Sequence, residues 1–138
     1  MILVDTSVWI EFFNGRATSQ VCLLKDLIDR EEDICISDLI LTEILQGFRL
    51  DRDFASARRH LVRFPILRLK GIDSYIEAAR IYRTCRKKGL TIRKTADCII
   101  AQTAIENRLH ILHRDDDFET IASVCELKIY RGYEQTSR

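Results

Sequence analysis

Acidic side chains stand in this sequence where apolar ones are expected. Asp5 ends the aliphatic run Ile2, Leu3, Val4 and is followed by two hydroxyls, Thr6 and Ser7. Glu43 is the one charge between Leu39 and Phe48. Asp97 shares a helical face with Ala101 and Ala104, a line of small residues that reads as packed. Asp115, Asp116 and Asp117 follow the stretch HILHR at 110–114. Each acid also has a local account. Asp5 or the hydroxyls after it can cap a helix. Glu43 fits a solvated helix position. Asp97 in a first turn is favoured by the helix dipole. The triple Asp fits an acidic turn and cap.

Taken together the local accounts are strained. In an α/β fold Asp5 and Asp115 leave adjacent strand ends, and Glu43 and Asp97 come from helices that begin near the same edge. Four ionised carboxylates about 5 Å apart repel by ~3 kcal/mol per pair at an effective dielectric of ~20. Six such pairs cost on the order of 20 kcal/mol, more than the whole stability of a domain. Protons or a cation must compensate. An oxygen-only donor set suits a hard ion, Mg²⁺ or Mn²⁺. His110 and His113 fall on opposite faces of a strand and cannot share a metal there. The five cysteines are odd in number and scattered, which reads as buried free thiols.

The elements that must position these acids follow from periodicity and punctuation. Short strands are expected at 2–4, 34–36, 66–69 and 109–112, with a possible fifth at 127–130. Helices are expected at 7–14 (capped by Thr6 or Ser7), 18–30, and from a Ser37 cap to about 48. Further helices are expected at 52–64 before Pro65, from Asp73 to Gly89, from Thr95 to 107, and at 117–124. Strands alternating with helices predict an α/β fold on a parallel sheet, with ligands outside the carboxyl ends of its strands.

Length and composition bound the class. With 138 residues, 46% apolar and 31% charged, the chain reads as one globular domain over 1–138. There is no apolar run of membrane-spanning length and no signal-peptide pattern, so a cytoplasmic protein is the expectation. The net charge of +1 hides a segregation. Residues 49–70 hold seven Arg or Lys against two Asp, and residues 80–94 hold seven with no acid. Such stretches suit phosphate binding, with Arg49, Arg86, Lys87, Lys88, Arg93 and Lys94 as candidate RNA contacts. The stretches SVWIEFF and SQVCLLKDLI are apolar enough to supply a dimer face or a groove for a partner helix as well as core.

Four pieces of the chain, VDTSVWI at 4–10, LTEILQG at 41–47, TADCIIAQTA at 95–104 and LHRDDDF at 112–118, resemble the PIN-domain family in order and spacing. Within that family the chain resembles the VapC-type toxin ribonucleases of bacterial toxin–antitoxin pairs. The resemblance implies a PIN-like fold, a parallel sheet of four to five short strands flanked by helices. It implies a Mg²⁺- or Mn²⁺-dependent endoribonuclease that cuts tRNA or ribosomal RNA. It places the acidic positions on Asp5, Glu43, Asp97 and Asp115, with Asp117 as an additional or alternative acid, and matches Thr6 and Ser7 to hydroxyls that help hold the site. Arg114 replaces a neutral polar residue common in the family, and serves either phosphate or the neighbouring acids. Homodimerisation and a small VapB-type antitoxin are the implied partners. Two other classes fit some of these residues. A Mg²⁺ phosphohydrolase with Asp5 as nucleophile lacks the second Asp that haloacid-dehalogenase-type enzymes carry two residues on, because Ser7 stands there. A non-catalytic RNA- or protein-binding module would leave the acids as caps only.

Overall fold

The computed structural model describes residues 1–132, so the end of the domain expected over 1–138 lies outside the described residues. Strands β1 (Ile2–Val4), β2 (Ile34–Ser37), β3 (Ile66–Leu67), β4 (His110–Leu112) and β5 (Lys128–Ile129) pair in parallel in the order β3-β2-β1-β4-β5. The described helices are α1 (Thr6–Phe13), α2 (Ser19–Asp29), α3 (Asp38–Gln46), α4 (Asp51–Leu61), α5 (Ile72–Lys87), α6 (Thr95–Glu106) and α7 (Asp116–Ala122). None of them is long and apolar enough to cross a membrane.

The strands are short continuous apolar runs because helices cover both faces of a parallel sheet. Leu3, Val4, Cys35, Ile36, Ile111 and Leu112 are all essentially inaccessible. Strand order reverses between β1 and β4. That switch opens a crevice beyond the strands' carboxyl ends, where ligands of such sheets bind. Register fixes its walls: Val4 pairs with Leu112, and the Asp5 amide donates to the Leu112 carbonyl at 2.9 Å. The acids after β1 and β4 are thereby set side by side.

On one flank, Trp9 anchors an aromatic cluster, with ring centroids 5.8 Å from Phe12, 6.0 Å from Phe13 and 5.6 Å from Phe64. A groove of about 490 Å³ lies over this cluster, lined also by Ile28 and Leu61. The two apolar stretches of α1 and α2 therefore fill core and also present surface, with Ile10 and Ile28 exposed.

Several boundaries differ from expectation for local reasons. The cap of α1 is Asp5 itself, whose carboxylate accepts from the Ser7 amide, in place of Thr6 or Ser7. Helix α6 begins at Thr95 as expected, with Lys94 as its N-cap, and α5 begins one residue early, at Ile72 after Gly71. Helix α4 ends at Leu61, since a residue before proline is pushed out of the helical region and the turn at 62–64 absorbs that constraint. Strand β3 pairs over two residues only. Among the cysteines, all free, Cys35, Cys85 and Cys98 are buried, but Cys22 is exposed on the outer face of α2.

Ser37 caps α3 as expected: its buried Oγ accepts from the Ile40 amide at 3.1 Å. Ser37→Ala should lower stability by about 1 kcal/mol. Urea unfolding should show a reduced midpoint with unchanged slope. An unchanged midpoint would mean the cap contributes nothing.

Candidate active site

Three carboxylates meet at the switch point. Asp97, Asp115 and Asp117 each offer an oxygen, and these oxygens lie within 4.8 Å of one another. Asp97 sits in the first turn of α6 and is 2% exposed. Asp115 is the N-cap of α7, with Oδ1 accepting from the Asp117 amide at 3.0 Å. Asp117 is buried in the first turn of α7, whereas Asp116 points to solvent. The run of three acids thus sends its first and third members inward.

Asp5 forms the β1 side of the crevice. Its Oδ2 accepts from the Ser7 amide at 3.0 Å and the Ser7 hydroxyl at 2.6 Å. The same hydroxyl accepts from the Arg114 amide at 2.9 Å, so Ser7 ties the loop after β1 to the loop after β4. Thr6 Oγ1 donates to Glu43 Oε1 at 2.7 Å, which joins α3 to the same edge. Asp5 and Glu43 are electrostatically coupled, as are Asp5 and Asp97, although neither Asp5 nor Glu43 belongs to the three-oxygen cluster.

Convergence of like charges shows in the proton affinities. Burial raises the Asp97 carboxyl to about 8, helped by a hydrogen bond to Asp117 and the charges of Asp115 and Asp5, with Lys94 opposing. Burial also raises Asp5, against the Ser7 hydrogen bonds. Asp115 is the exception. Burial pushes it up, but the hydrogen bonds from Lys94 and the Asp117 amide, with the Lys94 and Arg93 charges, hold it below the ordinary carboxylate range. Asp97 Oδ2 is buried without a hydrogen-bond partner. An orphaned buried carboxylate oxygen beside two further carboxylates is the donor set of a hard divalent cation, and the residues fit one.

Arg93 and Lys94, expected as RNA contacts, have their heads on these acids. Lys94 Nζ is 2.8 Å from Asp115 Oδ2 and 3.8 Å from Asp97 Oδ2. Arg93 reaches Asp115 at 3.1 Å and Asp117 at 3.4 Å. Arg114 pairs with Glu11 at 3.2 Å, and so neutralises an acid outside the cluster. Arg49, Arg86, Lys87 and Lys88 are exposed, the last three at the carboxyl end of α5 where the chain turns toward α6.

His113 was absent from the sequence-based candidates because histidine was weighed there only as a metal ligand. It is a support. Its Nδ1 accepts from the Asp115 amide at 3.1 Å and its Nε2 meets Glu119 at 3.1 Å, which Arg131 holds at 2.7 Å. Its place two residues before Asp115 is the only local signal.

A family model described as PIN domain matches residues 2–124. The chain is 35% identical over 129 residues to a VapC ribonuclease of Mycobacterium bovis, covering 93% of this chain and 96% of that protein. The figures are the same for ribonuclease VapC11 of Mycobacterium tuberculosis. Among solved structures, VapBC2 from Rickettsia felis, bound to a promoter DNA fragment, has a similar fold. Its TM-score is 0.73 at 20% identity over 94% of this chain and 98% of that one. VapBC-1 from nontypeable Haemophilus influenzae gives 0.72 at 18% identity, over 94% and 97%.

The raised Asp97 carboxyl makes a prediction about pH. Between the ordinary carboxylate range and about 8, the folded protein holds a proton that the unfolded chain has lost. Metal-free stability should therefore fall as pH rises through that window. Asp5, also raised, acts in the same sense. Asp115, held low, acts oppositely but only in more acid solution. Melting temperature in chelator should decline from about pH 5 to 8, and Asp97→Asn should flatten the decline. An equal slope in the variant would show that Asp97 does not carry it.

Proposed function

The chain belongs to the PIN-domain family, among its VapC-type ribonucleases, and on that premise we propose that it is a divalent-metal-dependent endoribonuclease, the toxin of a toxin–antitoxin pair. The observation that carries this reading is the meeting of Asp97, Asp115 and Asp117 at the switch point, with one buried oxygen that accepts no hydrogen bond. Those three residues would hold Mg²⁺ or Mn²⁺. Asp5 and Glu43 complete the acidic rim and act on the ion or its water shell. Ser7 and Thr6 fix the orientation of those two carboxylates through the bonds described above. When bound, the ion supplies Lewis-acid activation of a water and shields charge on the phosphate.

RNA is the substrate that the charge pattern fits. An acidic crevice alone repels a phosphodiester, so cations must bring it in. Arg49, Arg86, Lys87 and Lys88 are exposed and available for phosphates. The Arg86 guanidinium lies 5.6 Å from the centre of the Tyr82 ring, which offers an aromatic surface beside a cation. Structured RNA, tRNA or ribosomal RNA, is the proposed target class, with cutting in an unpaired loop whose bases can be splayed. The activity is assigned to one domain spanning 1–138, in the cytoplasm.

The partners follow from apolar surface. The groove over Trp9, Phe12, Phe13 and Phe64 is shaped for an apolar helix face, as from a VapB-type antitoxin. Ile72, Tyr75, Ile76 and Tyr82 form an exposed apolar stripe along α5, which supports a homodimer.

Purified protein incubated with total RNA in Mg²⁺, Mn²⁺ or EDTA, followed by mapping of 5′ ends, tests the reading. Cutting should need the metal and weaken as salt rises. Asp97→Asn and Asp115→Asn should each lose on the order of 10²-fold or more in rate. Equal cutting in EDTA, or full activity in both variants, would defeat the proposal.

A further inference from the structure

The acid cluster already contains a cation, and that cation belongs to the protein. Lys94 Nζ lies between Asp115 and Asp97, at 2.8 and 3.8 Å. Its nearer partner is the Asp115 oxygen not used in capping α7. Its farther partner is the orphaned Asp97 Oδ2. The ammonium therefore lies between two of the three carboxylates that would hold an ion.

The two basic neighbours are held differently. Arg93 is pinned through its backbone, whose amide donates to Asp117 Oδ2 at 3.2 Å, while its guanidinium also spans Asp117 and Asp115. The Lys94 carbonyl caps α6, accepting from the Asp97 amide at 3.1 Å, but only the end of its four-carbon stem reaches the carboxylates, and its side chain is 55% exposed while the Asp97 carboxylate it faces is 3% exposed. A half-exposed lysine head can leave without moving any backbone. The acids cannot, because caps and helix starts fix them.

We propose that Lys94 is a displaceable internal counter-ion: its ammonium occupies the divalent-cation position of the acid cluster and must be expelled when the metal enters. The inference rests on the metal-dependent reading above and extends it to the control of metal occupancy. One ammonium supplies half the charge of a divalent ion and cannot be shared as tightly by several carboxylates. The metal thus competes with a tethered amine, and Lys94 sets how much ion is needed. Once expelled, the ammonium remains on its stem at the mouth of the crevice, where an incoming phosphate passes.

Binding of Mn²⁺ to the RNA-free protein, measured by calorimetry, reads the competition without any turnover. Lys94→Met should bind Mn²⁺ about tenfold more tightly than wild type, and its metal-free melting temperature should fall. Lys94→Arg, which keeps a cation, should stay near wild type in both. In wild type, the side-chain nitrogen resonance of Lys94, assigned by its absence in Lys94→Arg, should shift on Mg²⁺ titration along the same isotherm as the Asp97 amide. This second measurement does not depend on Lys94→Met folding. Wild type that binds Mn²⁺ and cuts RNA, with Lys94→Met binding no more tightly or the Lys94 resonance unmoved, overturns this inference alone. Wild type that binds no Mn²⁺ overturns it together with the metal-dependent reading.

Discussion

Mutual repulsion among carboxylates at the carboxyl ends of β1 and β4 is the constraint around which this fold is arranged. Parallel topology makes their meeting unavoidable, because each strand of the switch pair hands its chain to a loop at the same edge. The same topology supplies part of the remedy. Helices α1, α6 and α7 all begin at that edge, each directing unpaired amides and a partial positive charge at the acids. Arg93 and Lys94 supply two full charges, and the Asp97 carboxyl is pushed up to about 8, chiefly by burial. Desolvation and repulsion of this size persist in folded proteins where function requires them, and perturbed carboxyls in a crevice are the usual mark of such a place.

The opposition between capping and chemistry, which the sequence posed for Asp5, dissolves on inspection. Asp5 caps α1 and lines the crevice with one carboxylate, and Asp115 does the same for α7. A cap fixes a side chain in one rotamer against backbone amides, and that orientation is what a metal ligand needs. The strands, the helices and the inward acids were legible because each has a local cause: apolar runs, cap residues, or an acid out of place. The identity of the inward acids within Asp115, Asp116 and Asp117 was legible only through the family resemblance, which pointed to Asp115 and Asp117, and not in any local pattern. It depends on the turn from β4 into α7 and on burial of Phe118, which rotates Asp117 inward and Asp116 out.

Charge partners were the least legible feature. Lys94 and Asp97 are three residues apart and adjacent on a helix start, so that pair is local. The contacts that matter more, from Arg93 and Lys94 to Asp115 and Asp117, join segments more than twenty residues apart. No periodicity encodes such a meeting. A cluster of seven basic residues at 80–94 read as a single phosphate-binding surface, whereas the fold divides it. Its first part lies exposed on α5, where Arg80 pairs with Glu77, and its last two members turn inward to the acids.

That division gives the site its physical character. The anions are anchored: Asp115 by its cap, by Arg93, and through its own amide by His113. Because His113 Nδ1 accepts that amide, the ring proton sits on Nε2 and faces Glu119, which Arg131 grips in turn. Asp115 is thus tied through three side chains to the segment just after β5. Lys94 is loose by comparison, its side chain 55% exposed against 11% or less for the acids it meets. Fixed acids beside one flexible lysine suit the proposed small hard ion, since the carboxylates need not reorganise and only that side chain must yield. Reversing the arrangement, with fixed cations and mobile acids, would give an ordinary buried salt-bridge network, stable and closed to metal. The burial of the acids, more than their number, is what separates this crevice from an acidic surface patch.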